Sequence, residues 1–196
     1  MKRKFRLFLY AVFVLALPFL AISAVHVGFS QAAYAEISRR GISEENHNAM
    51  KHAFAATEFY SLARLVFEPE QAARIVVRLG ETNERAERYL KHTTDWSAEV
   101  YKDLRNNLTG IAAAEWLYAQ EGYVSPCTRL RMVGKLAEDG ELAALHTDPR
   151  LPVLPNAPDT DTAIAKMKQD EAGLREKLAA DIAARGAALR EDLGLD

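Results

Sequence analysis

The 196-residue sequence has one cysteine, Cys127. No intrachain disulfide can form and no cysteine-based zinc site can be assembled. Cys127 stands in Ser-Pro-Cys-Thr with no base paired to it, so it reads as incidental rather than reactive. Blocks of lysine and arginine interleaved with aromatics are missing, which removes nucleic acid as an expected partner. There is no His-Glu-x-x-His, no nucleophile elbow around a serine and no glycine loop for phosphate. No alternating apolar–polar run marks a strand, and no internal repeat is visible. A single helical core must therefore supply the stability, and the chain is long enough to build one.

Residues 2–6 are Lys-Arg-Lys-Phe-Arg, and from Leu7 to Val25 there is no charge. A basic start followed by an apolar run reads as a secretory signal or an N-terminal membrane anchor, with the cations on the cytoplasmic side and the rest exported. Ala33-Tyr34-Ala35 has the small-x-small form of a cleavage site. The chain has 25 Lys+Arg against 27 Asp+Glu; four of the cations and no acid precede residue 36, which leaves 21 against 27, a net of −6, for 36–196. The expected setting is the bacterial inner membrane facing the periplasm, or the periplasm itself.

Four segments follow from the pattern: 1–35 as signal peptide or anchor, 40–147 as a helical domain, 148–159 as a proline-rich linker and 160–196 as a helical tail. Residues 36–47 read as a polar lead-in. Ser43 before Glu44 and Glu45 predicts a helix start, and Ala49, Ala53, Ala56, Tyr60, Ala63 and Phe67 carry the helix to about residue 67. Pro69 opens a second helix, expected to reach about His92, in which most of the Glu81, Glu84 and Glu87 charge reads as a solvated face. A third spans about 96–121 and stops at Gly122; Gly110 within it makes sense if another backbone passes close by. Ser125-Pro126 starts a fourth, to about Ala137, and Glu141–His146 reads as a short helical piece. The tail, with Ile164, Met167, Leu178, Ile182 and Leu189 on a broken stripe, reads as an amphipathic helix over 160–193 that docks on the domain or on a protein partner.

Polar residues interrupt the apolar stripes at two places. Asn48 and His52 are four apart on the first helix, and Asp103 and Asn107 four apart on the third, so each pair shares a face. A carboxylate beside an apolar stripe is costly unless it is paired. In one reading Asp103 hydrogen-bonds His52, Asn107 caps a backbone group, and the helices are merely held in register. In the other, His52 is a general base oriented by Asp103, with Asn107 catalytic and Asn48 and Asn106 holding a substrate oxygen. A metal version needs a further ligand, for which Glu84 is the best placed. One histidine with carboxylates and amides makes an oxygen-rich site suited to a divalent hard cation rather than zinc. No organic cofactor is expected. Asn107-Leu-Thr109 matches a glycosylation sequon, but its mid-helix position argues against use.

These residues carry a resemblance. Asn48-Ala-x-x-His52-Ala, Gly80-x-x-x-Glu84 and Asp103-x-x-Asn106-Asn107-x-x-Gly110 resemble a small all-helical domain family of unknown function. It occurs in bacterial and phage proteins, stand-alone and exported or as C-terminal modules of large secreted toxin-like proteins. The match covers about 48–118, and its Asp-Asn-Asn-Gly part is the most specific. At Asn83 the sequence departs from it, since the family tends to have histidine there before its glutamate. The resemblance implies an all-helical fold with a shared polar centre and brings no agreed activity.

The expected fold is all-α: an N-terminal signal or membrane helix, a compact bundle, a proline linker and a C-terminal amphipathic helix. The expected protein is an exported or anchored envelope protein with a buried His/Glu/Asp/Asn centre, a hydrolase in one version. The alternative is a non-catalytic helical subunit or scaffold of a membrane-associated complex. An enzyme would open a cleft to His52 and Asp103; a scaffold would seal them and expose an apolar patch, expected near the C-terminal tail.

Overall fold

A computed structural model describes residues 27–87, 96–154 and 159–195. Seven α-helices and one 3-10 turn form the described chain, with no strand among the described residues. They are α1 (27–40), α2 (His47–Ala63), α3 (Pro69–Glu87), α4 (Trp96–Glu121), α5 (Pro126–Glu138), α6 (Thr160–Ala184) and α7 (Gly186–Leu193). The expected all-helical bundle is present.

Local chemistry sets most of the ends. Ser43 caps the 3-10 turn before α2 through Glu45 N–H, Ser125 caps α5 through Thr128 N–H with Pro126 at the first position, and Asp159 caps α6 through Asp161 N–H. Gly122 takes a φ of +70° directly after α4, a left-handed conformation that suits glycine at a helix end.

α4 is the axis of the bundle. Residues 100–114 are buried on every side, packed by α2, α3 and α6. The main core runs from Ala56 and Tyr60 of α2 through Leu104, Leu108 and Ile111 of α4 to Ile164, Met167 and Leu178 of α6. A second, smaller core lies between α1, α2 and α5, around Ile37, Met50, Phe54 and Val133.

The structure departs from the sequence reading in several places. Residues 36–40 of the polar lead-in belong to helix α1, which crosses the boundary expected at residue 35 and buries Ala33 and Ile37. Ala33-Tyr34-Ala35 therefore lies inside a packed helix. α2 ends at Ala63, and turns carry the chain from there to Pro69. Glu141–His146 is not helical, because both backbone groups of Ala143 are taken by Asn106. The apolar stripe of α6 is buried on the domain itself, and Leu151 and Leu154 of the linker pack against the same core. Glu81 and Glu84 are buried rather than solvated. None of the described helices is long and apolar enough to cross a membrane; the 7–25 run and the stretch from Arg88 to His92 lie outside the described residues.

Candidate functional site

The helix register around α4 is set by two glycines. A Cβ on Gly110 would stand 2.1 Å from the Ala53 carbonyl oxygen, so α2 and α4 touch backbone to backbone there. Thr57 fastens the crossing: its hydroxyl lies 2.8 Å from the Ala53 carbonyl oxygen and 3.0 Å from that of Gly110. A Cβ on Gly80 would stand 2.6 Å from Asn107 Nδ2, so α3 makes room for that amide. One turn along each helix from the Gly80–Asn107 contact are Glu84 and Asp103. The same two crossings bring His52, which precedes Ala53, against them from α2.

His52, Glu84 and Asp103 form one buried group. One ligand atom from each lies within 4.8 Å of the other two. Their residues are 6 %, 2 % and 4 % exposed. Asn48 Nδ2 donates to Asp103 Oδ1 at 2.9 Å, which steers the carboxylate. Its other oxygen, Oδ2, is 3.4 Å from His52 Nε2. That pair is close but is not hydrogen-bonded, and His52 Nε2 is a buried nitrogen without a partner. Burial pushes the His52 imidazole below its ordinary pKa; the Asp103 charge pulls it up and is the weaker influence.

The remaining expected residues divide. Asn106 makes a two-way clamp on the loop after α5: its Nδ2 donates to the Ala143 carbonyl at 2.9 Å, and its Oδ1 accepts from the Ala143 N–H at 2.9 Å. Both ends of its amide are engaged by the backbone of Ala143 rather than turned to the group formed by His52, Glu84 and Asp103. The capping role assigned to Asn107 thus belongs to Asn106. Asn107 is buried against Gly80. The hydrogen bond expected between Asp103 and His52 is replaced by the one from Asn48.

Two polar features had no signal in the sequence. Lys102 is buried, with its Nζ 2.6 Å from Glu99 Oε2 and 3.6 Å from Asp103 Oδ1. Arg129 donates from Nε and Nη2 to the two oxygens of Glu58 at 2.6 and 2.8 Å, joining α5 to α2 through the interior. No spacing rule links residues 71 positions apart. In both places a charged residue that would ordinarily be solvated is buried beside its counter-ion.

The chain was compared with family models, curated proteins and solved structures, and none of them matches. The chemistry of the centre is therefore read from geometry. It can hold an imidazole against two carboxyl groups away from bulk water.

Proposed function

We propose that the chain is a membrane-tethered module of the bacterial envelope that docks by an apolar tip and performs no turnover. What carries this reading is an exposed apolar surface at the junction of α2 and α3, on a molecule whose polar centre is sealed. Leu65 is 61 % and Val66 78 % exposed, with Leu62 and Phe67 beside them. Phe59 is on the same face of α2 and packs edge-on against Phe29 of α1. Phe29 is among the first described residues of α1, four positions after the apolar run 7–25 in the sequence. A run that enters the bilayer would thus leave it next to the tip. Contiguous exposed apolar surface of this kind marks a protein or membrane contact, and its position beside the entry of the run favours the bilayer surface.

Retention of the N-terminal segment fits the same picture. Cleavage after Ala35 would remove Phe29 and Ala33 from the second core. The cations at residues 2–6 favour an envelope-facing domain. The resemblance to exported helical domains points the same way.

The hydrolase reading keeps one supporting observation, the unpartnered His52 Nε2 beside Asp103. It loses Asn106 to the Ala143 clamp, and the residues of the centre are buried.

The test is made on the full chain in lipid nanodiscs, with Cys127 changed to Ser and an environment-sensitive dye on a cysteine at 66 or at 153, where Val153 is fully exposed. Blue-shifted emission at 66 and water-like emission at 153 is the expected result. Water-like emission at both positions would dismiss the bilayer as the occupant of the tip.

A further inference from the structure

We propose that His52, Glu84 and Asp103 are the protein ligands of a divalent cation, held by one imidazole nitrogen and two carboxylates. The inference is independent of membrane docking.

Three observations carry it. First, the donor atoms converge from three different helices to within 4.8 Å of one another, and all three residues are buried. Bonds of about 2.0–2.2 Å set neighbouring ligand atoms roughly 3–4 Å apart, so small side-chain rotations close the group around an ion. Second, His52 is 94 % buried (6 % exposed) and its Nε2 has no partner. Were Nε2 the protonated nitrogen, it would aim poorly at an acceptor 3.4 Å away. Were it the unprotonated one, its lone pair would face a carboxylate oxygen. A cation at the centre of the triad removes the conflict in the second case, since both groups then offer lone pairs to the same ion. Third, Asp103 is already oriented. Asn48 holds Oδ1, which leaves Oδ2 toward His52. A carboxylate fixed by an outer hydrogen bond is how metal ligands are commonly aimed.

The charge around the site agrees. Two carboxyl groups taken out of water next to one another repel unless a positive charge offsets them. Lys102 approaches Asp103 on Oδ1, the oxygen turned toward Asn48, and its shorter contact is to Glu99. The other oxygen, Oδ2, is the one that faces His52, at 3.4 Å. One nitrogen and carboxylate oxygens suit manganese(II) and its neighbours in hardness better than the sulfur-seeking metals. Three protein ligands leave positions for water.

The probe is manganese(II), added to untagged full-length chain in detergent after stripping with a chelator. About one ion per chain is expected by elemental analysis, with electron spin echo modulation from a single histidine nitrogen. The melting temperature should rise by about 5–10 °C at a hundredfold excess over Kd. Glu84→Gln, which keeps the shape and removes the charge, should weaken binding at least tenfold without changing the helical content of the metal-free chain. Should that variant fail to fold, the histidine modulation of the unaltered chain decides alone. Folded wild-type chain that retains no manganese, or binds it without histidine modulation, overturns the proposal. So does affinity unchanged in folded Glu84→Gln.

Discussion

The two sides of α4 are held in opposite ways. Toward α2 and α3 the seam is polar and very close: Gly110 lies against the Ala53 backbone, Gly80 against the Asn107 amide, and His52, Glu84 and Asp103 fill the space between. Toward α6 the seam is apolar, with Ala163, Ile164, Met167 and Leu178 buried in the main core. Its polar contacts are at the margins, where Tyr101 donates to Asp170 at 2.7 Å and Arg175 donates to Glu115 at 3.1 Å. Apolar side chains can slide or repack with modest loss, whereas a backbone-on-backbone crossing admits one register. The close crossings therefore fix where the helices sit, and the apolar seam adds burial that keeps them there.

Substitutions can break this contrast in order of severity. Gly110→Ala should be the worst, because the added methyl meets a carbonyl that cannot move without displacing α2. We expect a loss of about 4 kcal/mol or more, read as failure to fold or a collapse of the denaturation midpoint. Ile164→Ala in the apolar seam should cost about 2–3 kcal/mol, with the helical spectrum intact in native buffer. If the two substitutions cost the same, the contrast between the seams is lost.

Gly80→Ala sharpens the picture, since its obstacle is the end of a side chain. We expect a loss of about 1 kcal/mol, the overpacking being partly offset by better helix propensity. In an Asn107→Ala background the same change should become stabilising, which a double-mutant cycle by urea denaturation would reveal. The smallest effect should come from Asp192 at the end of α7. The Arg40 hydrogen bond holds its carboxyl below the usual range, against the upward push of burial. A lowered carboxyl contributes stability above its unfolded pKa that is lost as pH falls through the folded value. Asp192→Asn should thus cost about 0.5 kcal/mol at pH 7, and the gap to wild type should narrow on acidification below about pH 4. A gap that widens in acid would contradict the assignment.

The elements that were legible are the ones with strong punctuation. Ser125-Pro126 and Gly122 mark the start of α5 and the end of α4 by local chemistry, and both are at the expected positions. The i, i+4 pairs on α2 and α4 were enough to bring His52 and Asp103 together, because helix periodicity fixes the facing side chains. The glycine at 110 was read correctly as a close approach. Less could be read where tertiary contacts override local preference. Residues 141–146 have a helical composition, yet Asn106 claims the backbone of Ala143. α1 was obscured because its apolar residues follow the 7–25 run with no break in the pattern. The Arg129–Glu58 pair and the placement of Lys102 depend on packing between distant segments, which spacing does not encode.

One contact described above joins the two ends of the described chain. Arg40 at the end of α1 donates to Asp192 Oδ2 at 2.8 Å, a partner 152 positions later. The same guanidinium also donates to Glu36 at 2.7 Å and to Glu138 at 2.7 Å, so one side chain ties α1 to α5 and α7. Removal of that one guanidinium would leave carboxylates from three helices facing one another with less positive charge between them.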